Sequence, residues 1–186
     1  MKNHKLSKLL LASVISSLTV PTFAQQLEEV VVTASKRAEN LQDIPQAVTA
    51  FSSERLVELG IVETSDLMGA VPNIQVTSAY GRTQPNFSIR GISVANEFSA
   101  ATASPVGVYV DEVYQSFRAS HGQQLFDLES VEVLRGPQGT LYGRNTTGGA
   151  VNVNTIKPSL DEGTSGFLNV RLGNYSYADF TGAVEA

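Results

Sequence analysis

Leu134-Arg135-Gly136-Pro137-Gln138-Gly139-Thr140-Leu141-Tyr142-Gly143-Arg144-Asn145-Thr146-Thr147-Gly148-Gly149-Ala150-Val151-Asn152 is the most heavily punctuated run of the chain. Pro137 fixes φ, while Gly136, Gly139, Gly143, Gly148 and Gly149 permit backbone angles or close approaches that a Cβ would forbid. Val131, Val133 and Arg135 alternate into the run, and Val151, Val153 and Thr155 alternate out of it, so it reads as a turn between two strands. The glycines also invite a phosphate-cradle reading, because exposed backbone N–H groups can hold an anion. That reading fails: no Gly-Lys-Ser/Thr ending is present and the spacing is not G-x-G-x-x-G.

Working outward, Val106, Val108 and Val110 alternate with Gly107, Tyr109 and Asp111, the period-2 pattern of a half-buried strand. Asp111 and Glu112 adjoin, and neighbouring strand residues point to opposite faces, so they do not form a ready carboxylate pair. Asn73 to Thr77 and Phe87 to Arg90 read as extended, with loop chemistry from Tyr80 to Pro85 between them. Val48 to Phe51 reads as a strand. Ser52 or Ser53 then caps a helix with Leu56, Val57 and Leu59 apolar, and Gly60 stops it. Ser65 caps a second short helix that ends before Pro72. Short strands with two short helices predict a small α+β domain over residues 41–157.

The two ends differ from this middle. Met1 to Lys8 is basic, Leu9 to Val20 is largely apolar, and Pro21 to Ala24 ends in a small residue, the tripartite order of a cleaved export signal over residues 1–24. About 20 apolar residues are needed to span a bilayer as a helix, so the stretch is too short for an anchor. Ser35 to Gln42 is polar and without apolar period, and reads as a tether. After Pro158, Gly166 to Arg171 and Tyr177 to Glu185 read as two strands joined at Gly173-Asn174. Membrane strands take about 9 to 11 residues and a closed barrel at least about eight of them, so residues 158–186 hold only the start of one.

The 186 residues carry 13 Lys and Arg against 18 Asp and Glu, a formal charge of −5. Lys2, Lys5 and Lys8 lie in the export signal, leaving ten bases against 18 acids from Gln25 onward. Such an acidic body is not a nucleic-acid binder, since that needs clustered Lys and Arg. No Cys is present, which excludes thiol catalysis and thiolate metal sites. His121 is the only His beyond the signal and reads as a surface residue rather than a metal ligand. No nucleophile elbow or H-E-x-x-H occurs, so no catalytic residue, metal site or cofactor is assigned. Arg135 shares the inward face with Val131 and Val133, and either pairs with an acid or snorkels to solvent. Arg90 is a second arginine at a strand end.

Taken in order, Glu29-Val30-Val31-Val32-Thr33-Ala34, Asp43-Ile44-Pro45, Val71-Pro72-Asn73, Ile89-Arg90-Gly91, Val108-Tyr109-Val110-Asp111 and Leu134-Arg135-Gly136-Pro137 resemble the N-terminal part of a TonB-dependent outer-membrane receptor. The continuation through Gly139, Tyr142-Gly143 and Gly148-Gly149 is similar to that family's plug signature. The resemblance implies a plug domain that gates a 22-strand barrel. It also implies that Glu28, Glu29, Val30, Val31, Val32, Thr33 and Ala34 are a TonB box on a flexible tether over residues 25–40. Valines suit a segment that a partner takes up as an added strand. Arg90 and Arg135 are then similar to plug arginines that pair with glutamates of the barrel wall. The implied activity is energy-coupled import across the outer membrane of a scarce small molecule such as a ferric siderophore, with TonB as partner. Ligand-facing loops fall at Ser78 to Pro85 and Ser93 to Pro105. The alternative is a truncated receptor acting as a solitary periplasmic TonB-binding module, or a remnant without function.

Overall fold

The structure is a computed structural model that describes residues 31–33, 35–37, 39–82, 84–99, 102–122, 124–157 and 163–185. Residues 1–24, together with Glu28, Glu29, Val30 and Ala34, lie outside them.

A five-stranded mixed sheet forms the centre, in the order β3-β8-β9-β6-β7. Its strands are β3 (Val48–Ser52), β6 (Val106–Val110), β7 (Val113–Tyr114), β8 (Leu128–Arg135) and β9 (Gly149–Thr155). All neighbours are antiparallel except β6 and β9, which run parallel with Val108 opposite Val151. The punctuated run is the β8-to-β9 connection, and within it α2 (Gly139–Tyr142) makes one helical turn.

One face of the sheet presents Val106, Val108, Val131, Val133, Val151 and Val153, all buried. It is covered by α1 (Ser53–Glu58), by a 3-10 turn over Thr64–Gly69 and by the hairpin of β4 (Ile74–Thr77) and β5 (Asn86–Ile89). Phe87 and Leu67 are fully buried there, and truncating a phenylalanine in such a place costs about 3–5 kcal/mol. Ser52 caps α1 by accepting from the Arg55 amide, and Gly60, at φ +66°, follows its end. Of the three apolar residues expected to anchor that helix, only Leu56 is buried; Val57 and Leu59 are exposed.

Several expectations need correcting. The β6 strand is buried on both faces, Tyr109 as well as Val106 and Val108, because a second layer covers the far side of the sheet. Asp111 and Glu112 are not strand residues. Both have positive φ and make the two-residue turn between β6 and β7, where Asp111 accepts from the amide (2.9 Å) and hydroxyl (2.8 Å) of Thr155. The second helix is a 3-10 turn, and its start is capped by Asp66, which accepts from the amides of Val62 and Glu63, rather than by Ser65. His121 is buried, not superficial, at the end of a 3-10 turn over Arg118–His121. Part of the expected tether is strand: β1 (Val31–Val32) pairs antiparallel with β2 (Glu39–Asn40).

Beyond the sheet, β10 (Ser165–Leu172) and β11 (Ala178–Glu185) form a hairpin of two eight-residue strands, β10 one residue longer at each end than expected and β11 one residue shorter. Leu168, Val170, Leu172, Phe180 and Val184 share one exposed face, with Val170 opposite Phe180. The other face carries Phe167 and Ala183 beside Asn169, Thr181 and the Arg171–Asp179 pair at 2.9 Å. That mixed face lines a cavity of about 500 Å³ against α1, Ile61 and Leu125.

Candidate functional site

The far face of the sheet is where the N-terminal segment lies. Alternation along β8 sends Glu132 and Leu134 to this side, opposite to Val131 and Val133, and along β9 it sends Ala150, Asn152 and Asn154 the same way. Glu132 and Asn152 are direct cross-strand partners, as are Ser130 and Asn154. The sheet therefore presents a polar patch of one acid, two amides and a hydroxyl in an otherwise apolar surface.

Thr33 fills that patch. Its amide donates to Glu132 Oε1 at 2.6 Å and its hydroxyl donates to the same oxygen at 3.0 Å. The Nδ2 groups of Asn152 and Asn154 each reach Thr33 Oγ1 at 3.3 Å, so the hydroxyl has one donor and two acceptor contacts and is saturated. Asn152 Nδ2 also lies 3.5 Å from Glu132 Oε2, and Asn154 Nδ2 lies 2.9 Å from Ser130 Oγ. Glu132 is fully buried, and no ion pair reaches it among the described residues. Burying a carboxylate without a cation is costly unless hydrogen-bond donors replace its water. Here two of the donors come from Thr33.

Either side of Thr33 the segment is held by rings. Val32 is fully buried with Ile44, Tyr109, Leu134, Tyr142 and Ala150. Tyr109 and Tyr142 meet edge to face at 5.0 Å, and the Tyr109 hydroxyl donates to the Tyr142 carbonyl at 2.6 Å. Burial, followed by the nearby Glu132 carboxylate, pushes the Tyr142 hydroxyl well above its ordinary range, so it stays a neutral phenol. Lys36 Nζ sits 5.6 Å from the centre of the Tyr142 ring. At an exposed site such a cation–π contact contributes about 0.5–1 kcal/mol.

Arg90 and Arg135 come together around the β8-to-β9 turn. Arg90, at φ +54°, ends β5 and donates its amide to Asn73 O, and its guanidinium reaches over Gly136. Arg135 ends β8, donates its amide to Ala47 O and is half-buried with Nε unpartnered. Among the described residues neither arginine has a carboxylate within ion-pair distance. Of the other positions singled out in the sequence, Gly91 and Gly143 have φ of +80° and +79°, Pro137 is exposed beside Gly136, Gly139 opens α2, and Gly148 donates its amide to Pro105 O.

The two loops expected to face a ligand are tied to each other. Tyr80 packs edge-on against Phe98 at 6.4 Å and donates to its carbonyl at 2.9 Å, while Thr77 Oγ1 bonds Glu97 at 2.9 Å. Beneath them the buried Arg118 donates to Asn86 Oδ1 at 2.6 Å, to Glu97 O at 3.1 Å and to Ser99 O. Burial holds His121 below the usual histidine range, with its ring Nε2 2.9 Å from Gln115 O. Neither Arg118 nor Glu132 was singled out by sequence reasoning. A charged residue inside a run of short-period apolar residues was the available signal, but alternation alone sends Glu132 to the outside.

The family model for the TonB-dependent receptor plug domain matches residues 40–150. This chain belongs to that family. Among curated relatives of the plug chain, the pesticin receptor of Yersinia pestis is 34% identical over 138 residues, covering 74% of this chain and 20% of the receptor. The vitamin B12 transporter BtuB of Vibrio vulnificus is 26% identical over 163 residues, covering 81% and 25%. Among solved structures, the ferric yersiniabactin uptake receptor FyuA of Yersinia pestis superposes with a TM-score of 0.58 at 33% identity, over 66% of this chain and 18% of that one. The siderophore receptor PiuA of Acinetobacter baumannii has a TM-score of 0.66 at 22% identity, over 83% and 20%, a likeness of fold. The plug chain thus spans about a fifth of the length of the curated relatives it first matches.

Proposed function

We propose that this plug is the gate of an outer-membrane importer energised by TonB, and that its cargo is a scarce small molecule of the iron-chelate class. The observation that carries the reading is an N-terminal segment with Val31 and Val32 in strand form, laid on the sheet of a plug domain. Glu28 to Ala34 serve as the TonB box and pair with TonB as an added strand, in which main-chain hydrogen bonds supply affinity and valines favour extension. Residues 1–24 export the chain, residues 25–40 hold the box and its tether, 41–157 form the plug, and 158–186 begin the barrel. The last assignment is supported by the β10–β11 hairpin, whose one exposed apolar face suits lipid while the other face concentrates Asn169, Arg171, Asp179 and Thr181. Arg90 and Arg135, lacking acids of their own among the described residues, pair with carboxylates of the barrel wall.

The cargo class rests on relatives: a ferric yersiniabactin uptake receptor stands at 33% identity. The loops joined by Tyr80 and Phe98 are where such a ligand rests on the plug. No bond-making step is assigned to any residue, since the site holds and releases a chain segment. The test is Val31→Pro in the full-length receptor, because proline removes a strand amide. Loss of TonB crosslinking and of energised uptake, with ligand binding retained, is the expected result. Unchanged crosslinking and uptake would show that the box lies elsewhere.

A further inference from the structure

We propose that Glu132 is a catch that keeps the N-terminal segment out of reach of its partner, by holding the Thr33 amide that an added strand would need. The inference rests on the reading of Glu28 to Ala34 as the TonB-pairing segment, and it adds the group on the plug that regulates that segment.

Three features set this contact apart from ordinary packing. First, the donor is a main-chain amide. While Thr33 N–H points at Glu132 Oε1, 2.6 Å away, it cannot enter a ladder with another chain. Second, β1 is already paired, Val31 with Asn40 and Val32 with Glu39, so one edge of the segment is closed by its own chain. Strand addition must use the other edge or displace β2. Third, the acceptor is a fully buried carboxylate without an ion-pair partner among the described residues, and Thr33 supplies its two shortest hydrogen bonds. Asn152 and Asn154 do not replace them, because their contacts to the carboxylate are 3.5 and 3.4 Å. Lifting Thr33 away therefore leaves a carboxylate that must gain water before it is at rest.

The same geometry makes the catch two-state. With Thr33 seated, Glu132, Asn152, Asn154 and Ser130 close into one network and Val32 fills the space beside Tyr109 and Tyr142. With Thr33 gone, Val32 leaves too, and water enters at the carboxylate. Polar and apolar contacts are lost together, so intermediate positions gain nothing. Glu132 is a positioning residue: it touches the segment and acts on the partner only through it.

The experiment is amide hydrogen exchange on the full-length receptor in native membranes, comparing wild type with Glu132→Gln, Thr33→Ala and the exposed control Glu129→Gln. TonB periplasmic-domain capture is measured in parallel. Hydrogen bonds to a charged group are worth enough that Glu132→Gln should speed exchange at Val32 and Thr33 about ten- to a hundred-fold. Protection along β8 and β9 stays largely unchanged, because glutamine keeps the shape and the cross-strand backbone pairing, although its single acceptor oxygen can serve only one of the two asparagines. Thr33→Ala, which keeps the amide bond, should give a smaller increase, and the control none. Unchanged exchange at Thr33, or equal loss of protection across β8 and β9, would overturn the catch. Faster exchange at Thr33 accompanied by increased TonB capture supports both readings. Faster exchange without any TonB capture, in wild type or variants, leaves the catch standing and removes the TonB-box assignment.

Discussion

The guanidinium of Arg90 lies so close over Gly136 that a Cβ on the glycine would stand 3.1 Å from Nη1. Gly136 itself has φ +117°, a conformation that side chains with a Cβ rarely adopt. The two facts act together: the arginine at the end of β5 crosses the turn that leaves β8, and only a glycine there lets both strands end at one place. This places the charged head of Arg90 within one residue of Arg135, in a region that the described residues leave without a balancing carboxylate.

Gly136→Ala should destabilise the domain by about 1–3 kcal/mol, the usual cost of a strained backbone position. Adding Arg90→Ala to that background should recover little, because the end of an arginine moves aside easily while the φ strain remains. Urea midpoints of the single and double variants measure this, and full recovery in the double variant would show that crowding, not φ, is the cause.

A larger effect is expected at Gly149, where an added Cβ would meet the Leu134 carbonyl oxygen at 2.3 Å. Both atoms belong to the central β8–β9 pairing, so the strands must separate or shift. Gly149→Ala should cost about 4 kcal/mol or more, at the severe end of single substitutions. A circular-dichroism melt within a few degrees of wild type would refute it.

Asp111 secures the end of β9 through the Thr155 amide and hydroxyl, from a turn position at φ +46°. Asp111→Ala loses both bonds and places an ill-suited residue at positive φ, for a loss of about 1–2 kcal/mol. Asp111→Asn should lose less than half of that, since asparagine tolerates the conformation and keeps one acceptor. Exchange at the Thr155 amide is the most direct readout, and it should rise in the alanine variant first.

His121 gives a pH dependence of defined sign. Burial, only partly offset by the Gln115 carbonyl, depresses its folded-state pKa below the ordinary value, so acid protonates the unfolded chain first. Its contribution is therefore intact above about pH 6.5 and is lost as pH falls from there towards the depressed folded value. Stability should drop between pH 7 and 5.5, and His121→Asn should remove that slope whatever its effect at pH 7. An unchanged slope in the variant would assign the acid sensitivity to other groups.

On the proposed pairing of Arg135 with a barrel carboxylate, alanine there in the full-length receptor should cost several kcal/mol of plug seating. Hydrogen exchange would show it as lost protection through β8 and β9. Unchanged protection would mean that the half-buried guanidinium simply extends to solvent.

Much of the architecture was legible in the residues. Period-2 valines located β6, β8 and β9, Ser52 and Gly60 bounded α1, and the Gly136-to-Gly149 run marked the turn between the two longest strands of the sheet. These features are local: alternation, capping and positive φ depend on a residue and its neighbours in the chain, and need nothing from the rest of the molecule. The order of motifs from Ile44 to Asn152 was enough to place the chain in its family, because each of them answers such a local requirement.

What lies across a sheet face is a different kind of fact. Alternation separates Val131 and Val133 from Glu132, but it does not say whether the second face meets water or protein. Only the folded chain brings Thr33 across 99 positions to Glu132, turns the supposed outer face of β8 and β9 into an interior, and buries Tyr109 beneath Val32. The same holds for Arg118 and His121, polar residues that the sequence alone would leave in solvent and that burial under the 86–99 loops makes structural. Burial is set by contacts between distant segments, so the strands and turns of this plug were determined residue by residue, while its catch and its buried charges were decided by the tertiary structure.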